Sequence, residues 1–302
     1  MRKELYLIVA LSFIFCASLQ SQTLECTYPH EYFTTANGRP SSLQSQTLKC
    51  TYLHEYSRTE KRKLFRQDLR LCVESDGEYA ICYSENEYLR DSLATLLFAE
   101  GFDRFAVQEK TNIYPDGVEW VVMGHPAEGT FREIYKIAFL YIEGRGEYVQ
   151  PQWTICHETE NLCGFPCTKA VGEYLGREWQ IWFTSEIPLN LGPWLLWGAP
   201  GMILKAEDTD GLFRFTCEEI CITTHNRRTL LEETLERQKA KPHPSYYVYD
   251  FKEAEQVNNK AERDIQLADE MMGMYGETYD ANGNKVTPKI PYIPLIPDEY
   301  WE

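Results

Sequence analysis

The stretch CHETENLCGFPC, residues 156–167, gathers Cys156, His157, Cys163 and Cys167. Three thiolates and an imidazole suit a tetrahedral zinc site, while the same thiols suit disulfides in an oxidising compartment. The spacing matches no standard zinc finger or ribbon, so disulfides are the expected chemistry. A hairpin turning at Thr159–Glu160 would set Cys156 opposite Cys163. A nucleophilic cysteine would need a depressed pKa and a positioned base. His157 does not supply one, because neighbours on a strand point to opposite faces. No G-x-S-x-G, no H-E-x-x-H and no phosphate-binding glycine loop occurs. DANGNK, residues 280–285, begins like a calcium loop. However, Lys285 replaces the required glycine and Pro291 stands where the bidentate glutamate belongs, so a turn is expected. EDTDG, residues 207–211, likewise reads as a hairpin turn. No catalytic residue, metal site or cofactor is therefore expected.

Residues that might act together must be placed by strands. Residues 48–56 alternate, with Leu48, Cys50, Tyr52, His54 and Tyr56 on one face, and period two argues for a strand. This strand lies inside a duplication: SLQSQTLECTYPHEY, residues 18–32, returns as SLQSQTLKCTYLHEY, residues 42–56. The copies also pair His30 with His54. The first copy carries Pro29 in mid-strand, where proline is confined to edges and bulges, so the second copy is the structural one. LFRQDLRLCVESDGEYAICYS predicts a hairpin at Asp76–Gly77 that sets Cys72 opposite Cys82. Helical spacing of Leu89, Leu93, Leu96 and Leu97 predicts a helix over residues 86–100, capped by Asn86 and stopped by Gly101. Strands follow near residues 118–123, 131–142, 146–157, 164–174, 177–184, 201–207 and 211–223. Beyond Arg228, residues 228–241 and 251–275 are charged and helix-prone, separated by PHPSYYVYD. The tail places Pro288, Pro291, Pro294 and Pro297 three apart, one face of a polyproline II helix, with Ile290, Ile293 and Ile296 on a second stripe. Exposing those isoleucines would be costly, which favours a tail packed on its own domain over one that docks a partner.

Composition narrows the function classes. The 302 residues carry a net charge of −16, which opposes binding to phosphate backbones, so nucleic acid is not an expected partner. Hydrophobic content of 43% supports a core, and the 14% aromatic share leans toward β structure. Arg2 and Lys3 precede an apolar run from Leu5 to Phe15, the pattern of a secretory signal and too short for a lasting membrane span. The mature chain is expected to be exported, periplasmic or outer-surface associated, with no transmembrane segment. Cys50, Cys72, Cys82, Cys156, Cys163, Cys167, Cys217 and Cys221 are disulfide candidates, an even set once Cys16 and the duplicate Cys26 are set aside; their connectivity is not readable.

Residues 169–211 form the densest stretch of turns and aromatics. It resembles the GLPGLI family of exported bacterial proteins through GAPGMIL, Gly198 to Leu204, with Ala199 and Met202 in place of leucines. Gly176-Arg177, Trp182-Phe183-Thr184, Glu186-Ile187-Pro188 and Gly192-Pro193 fit the surrounding pattern. The resemblance implies a β-rich envelope protein and supplies no catalytic residues. The expected fold is mainly β, of the α+β kind: a curved antiparallel sheet or half-barrel with one short helix, a helical C-terminal segment and a proline-rich tail. The expected division is a signal peptide (1–21), a duplicated leader (22–47), a β-rich domain (48–225), a helical segment (226–285) and the tail (286–302). Trp194, Trp197, Pro200 and Met202 are the candidate ligand-binding residues, as an aromatic lip over an apolar cleft; the favoured reading of the same segment is a plug closing one open end of the sheet, since buried aromatics are more often core than site. The functional expectation is a non-enzymatic protein that binds an apolar ligand or a polypeptide, or an accessory subunit of an envelope complex, with a cysteine- or metal-dependent enzyme as the least favoured alternative.

Overall fold

In a computed structural model of the chain, the expected alternating strand is β1, Thr47–Tyr56. The structure describes residues 47–56, 65–75, 77–114, 117–118, 120–137, 140–223, positions within 228–240, 246–271, 278–279, 285–286 and 293–302. The signal sequence, the first repeat with Cys26 and His30, the turn residue Asp76 and most of DANGNK lie outside the described residues.

The strands after β1 are β2 (Phe65–Ser75), β3 (Ala80–Ser84), β4 (Trp120–His125), β5 (Thr130–Ile137) and β6 (Leu140–Glu147). Then come β7 (Thr154–Leu162), β8 (Phe165–Tyr174), β9 (Arg177–Thr184), β10 (Met202–Asp208), β11 (Phe213–Thr223) and β12 (Tyr246–Asp250). All twelve form one open sheet in the order β12-β6-β5-β4-β3-β2-β1-β11-β10-β9-β8-β7. A separate pair, β13 (Thr278–Tyr279) and β14 (Lys285–Val286), is antiparallel. The helices are α1 (Glu85–Ala99), α2 (Arg104–Thr111) and α3 (Phe251–Met271).

The sheet is mixed, which corrects the all-antiparallel expectation: β12 runs parallel to β6, with Tyr246 opposite Tyr141. The segment YYVYD, read as a spacer, is that edge strand. A second correction concerns β6: the strand expected over residues 131–142 divides into β5 and β6, and Gly144, expected between two strands, sits within β6, where α3 lies on it. A Cβ at Gly144 would stand 2.7 Å from Ala254 Cβ, and one at Gly146 2.5 Å from Phe131 Cζ. These distances are too short for real side chains, so the two glycines set how closely α3 approaches.

Three cores form: two on the faces of the pleat, and a third where Tyr135, Ile137 and Ile142 pack under Ala254 of α3. The inner face carries Leu48, Cys50, Tyr52, Val73, Cys82, Val122 and Phe131 together with Trp179, Ile181 and Phe215. The outer face carries Cys72, Ile81, Tyr83, Met123 and Ile134, packed under Leu235. Both faces of β3 are therefore covered, and all five of its residues are buried. Phe131 packs edge-on against Phe251 of α3 with ring centroids 4.8 Å apart.

The expected bridge between Cys72 and Cys82 is corrected by register. Cys72 pairs with Tyr83, and Val73 pairs with Cys82. A one-residue slip moves a side chain to the opposite face, so Cys72 joins the outer core and Cys82 the inner one. The hairpin expected at Thr159–Glu160 is corrected in the same way. β7 runs on to Leu162, and the turn is Cys163–Gly164, with φ of 50° and 83°. Two successive positive φ values make a turn whose twist matches the flanking strands.

Helix α1 begins one residue before the expected position. Ser84, not Asn86, is its cap, accepting from the Glu87 amide at 3.4 Å. Ser84 and Glu87 have the spacing of a capping box. Gly101 stops the helix as expected: at φ 87° it lets Phe102 donate to the Leu97 carbonyl and Gly101 to that of Phe98. Helix α2, which the sequence reading did not identify, is capped by Asp103 through the amides of Phe105 and Ala106.

Residues 293–302 of the tail pack on the sheet, while Pro288, Ile290 and Pro291 lie outside the described residues. Ile296 is buried, and the Arg177 guanidinium donates to the Leu295 and Pro294 carbonyls, each at 2.7 Å. Arg177 also faces Asp208 at 3.3 Å and covers the Phe213 ring. The EDTDG turn is held by Asp208 itself, whose Oδ1 accepts from the amides of Leu212 and Phe213.

Candidate functional site

The apolar cavity nearest a plausible binding site opens on the outer face. Strands β3 to β6 present Ile81, Tyr83, Val121, Ile134 and Tyr141 as its floor. Helix α1 forms one wall through Tyr88, Ser92, Thr95 and Leu96, and the helical residues Leu231 and Leu235 close another. The cavity measures about 350 Å³, the lower end of the range for small-molecule sites.

One cation stands at its wall. Lys136 Nζ is 2.7 Å from Asp91 Oδ1 and 3.7 Å from Glu87 Oε2, both on α1. Burial pulls the Lys136 ammonium toward neutrality, but Asp91, Tyr141 and Glu87 outweigh it and leave the pKa raised. Glu87 also holds Arg90 at 3.0 Å, so these charges fasten α1 rather than point free donors into the cavity. Three of the lining hydroxyls are occupied: Ser92 and Thr95 donate back to the Tyr88 and Asp91 carbonyls, and Tyr83 donates to Glu74. A pocket lined mainly by apolar side chains, with these polar groups engaged elsewhere, favours an apolar guest.

The rim continues the apolar character. Leu96 lines the cavity and is 63% exposed; Phe98, Phe102, Phe105 and Ile113, on α1, α2 and their flanks, are exposed as well.

The Trp-rich segment lies on the other face. Trp194 and Met202 are buried in the inner core, Trp197 is half-buried and Pro200 is exposed. Trp194 takes a φ of 54° and donates its indole N–H to Glu133 Oε1 on β5 at 3.3 Å, while its ring lies 6.4 Å from that of Trp179 on β9. Strands β5 and β9 stand seven places apart; a flat sheet would separate them by about 34 Å, so the sheet curls around this segment. Gly201 is required there, because a Cβ would meet the Thr184 carbonyl oxygen at 2.0 Å.

Beside Trp194 lies a buried acidic group. Tyr135 donates to Glu255 of α3, and Glu133 shares the same interior. Burial, then the charge of Glu255, pushes Glu133 well above the usual carboxylate range. Burial pushes Glu255 up to about 7, against the Tyr135 hydrogen bond and with help from Asp298. The Tyr135–Glu255 hydrogen bond stitches α3 to the sheet.

The four residues of CHETENLCGFPC do not converge. His157 is exposed on β7, Cys156 is half-buried there, Cys163 is in the turn, and Cys167 is buried against the inner core. Among the described residues no three His, Cys, Asp or Glu side chains are placed to hold a metal ion. The cavity residues Lys136, Asp91, Leu231 and Leu235 were not singled out from sequence. The capping box at Ser84 and Glu87 is the signal that could have located the wall of the site.

No protein-family model matches the chain, and no curated protein matches it. Among solved structures it is similar to PNGF-II in two crystal forms. In the C2 form the TM-score is 0.46 at 12% identity, covering 69% of this chain and 32% of that one. In the P21 form the TM-score is 0.45 at 12% identity, covering 68% and 32%. The chain thus spans about a third of the length of PNGF-II, and no activity passes from that protein to this one.

Proposed function

We propose that the chain is an exported, non-enzymatic binding protein, related to the GLPGLI proteins, that holds an apolar ligand between α1 and the outer face of its curled, half-barrel-like sheet. One observation carries this reading: a cavity of about 350 Å³ walled mainly by aliphatic and aromatic side chains, in which Lys136 is paired with Asp91 and the Ser92 and Thr95 hydroxyls bond to their own helix. This moves the site from the Trp194–Met202 segment, which acts as the plug of the inner face, to the opposite face. Entry past Leu96 suits a guest with a flexible hydrocarbon chain. Docking of a partner through the tail draws less support, since residues 293–302 pack on their own sheet.

The test is displacement of a fluorescent fatty-acid probe, with native mass spectrometry of the purified protein. Ser92→Trp and Thr95→Trp each place an indole at the cavity wall and should weaken probe binding at least tenfold without unfolding the protein. Probe affinity unchanged in both folded variants, together with no retained lipid by mass spectrometry, would sink the proposal.

A further inference from the structure

Three thiols meet at one end of the inner face, away from the cavity. Cys163 Sγ donates to the Cys217 carbonyl at 3.3 Å, Cys217 Sγ donates to the Glu219 carbonyl at 3.5 Å, and the Cys163 and Cys50 thiols both lie close enough to Cys217 to shift its acidity. All three belong to the inner core or pack against it. β8 and β11 are three places apart in the sheet, so the contact exists only because the β7–β8 hairpin tip folds inward over the curl. The tip itself is unusual. Cys163 occupies a left-handed position, φ 50°, where Asn, Asp and Gly are preferred and a cysteine brings no backbone advantage. Its side-chain chemistry is then the reason for its presence.

We propose that Cys163 and Cys217 are a disulfide pair that closes the β7–β8 tip onto β11. Cys50 is the competing partner, and the backbone decides against it. It is held in the middle of β1, paired to Ile220 on one side and Val73 on the other, and is fully buried. Bonding geometry requires the two sulfurs to close to about 2.05 Å, and a two-residue turn can shift where a central strand cannot. Glutathione disulfide is the oxidant. One of its sulfurs is first captured by the exposed-side thiol Cys163 as a mixed disulfide, releasing one glutathione thiol. Cys217 then attacks the Cys163 sulfur and releases the second. Two protein thiols become one disulfide, and one glutathione disulfide becomes two thiols. The metal alternative has no support here, since the described residues contain no ligating set.

The full chain is equilibrated with glutathione disulfide, its remaining thiols are alkylated, and tryptic peptides are mapped by fragmentation under non-reducing conditions. The expected result is a linked peptide joining Cys163 to Cys217, in the wild type and in Cys50→Ser alike. Oxidation should raise Tm by about 5–10 °C in both, and by nothing in Cys163→Ser. A link through Cys50 or Cys167, a glutathione adduct on Cys163 with no link, or both thiols fully alkylated in folded protein would each overturn the pair. Near-ultraviolet circular dichroism confirms folding of each variant, and Cys217→Ser provides the reciprocal control.

Discussion

The indole N–H of Trp194 reaches Glu133 Oε1 at 3.3 Å, tying the Pro- and Gly-punctuated segment to a strand seven places from β9. Glu133 is 1% exposed, and its second oxygen has no hydrogen-bond partner. Trp194→Phe keeps the ring and removes a donor from a buried acid. It should cost about 1–3 kcal/mol in a urea titration. Combining it with Glu133→Gln should cost less than the two single changes added together, because each removes the same bond. Additive losses would show that the bond does not couple the segment to the sheet.

Glu255 gives stability a downward slope with rising pH. Its pKa goes from 4.5 unfolded to about 7 folded, so the folded state holds the extra proton between those values. Stability present below pH 4.5 is lost as pH rises toward 7, at about 1.4 kcal/mol per unit. Glu255→Gln should therefore gain on the wild type steadily between pH 4.5 and 7 and hold that gain above. Thermal melts of both proteins across pH 4–9 check the slope; a constant difference would place the proton elsewhere.

His54 does the reverse. It stacks on Phe215 at 4.4 Å, neither ring nitrogen has a partner, and burial drops its pKa from 6.5 to about 3. The unfolded chain takes the proton first, so stability falls as pH drops through 6.5 toward 3. His54→Phe keeps the stacked ring and removes two unsatisfied nitrogens. It should raise Tm at pH 7, and its advantage over the wild type should grow below pH 6.5. Between about 4.5 and 6.5 the opposing slopes of Glu255 and His54 cancel.

Arg177 is the point at which the tail is fastened. Burial dominates both members of its pair, lowering the pKa of Arg177 and raising that of Asp208. This pair is therefore costly to leave half-made. Arg177→Ala abandons buried Asp208 and two tail carbonyls, and should cost about 3–5 kcal/mol. Deleting residues 293–302 should also lower Tm, with faster proteolysis near the β8–β9 turn. A deletion that melts like the wild type would free the tail for another role.

The sequence was most informative where one side of the chain decides its fate. β1, β8, β9, β10 and β11 follow alternation bounded by turns, and their limits lie within two residues of those expected. Reading failed where a distant element decides. Gly144 looks like part of a connection between strands until α3 is laid upon it, and YYVYD looks like a spacer until β6 offers an edge. The cysteine pairings failed by register alone, since a shift of one residue separates Cys72 from Cys82 across the sheet. The cavity was hidden for the same reason. Its floor and walls come from β3, α1, β5 and residues near 231, and no local pattern joins them.

Among the described residues β7 ends the sheet, with no strand beyond it on one side and most of its side chains exposed. An open edge invites other chains to add to it, the first step toward fibres. Here the register breaks between Ile155 and Thr159, and Glu158 and Glu160 are drawn to Lys169 and Lys205. The irregular register and the row of acids make this margin a poor template. They discourage polymerisation without covering the edge.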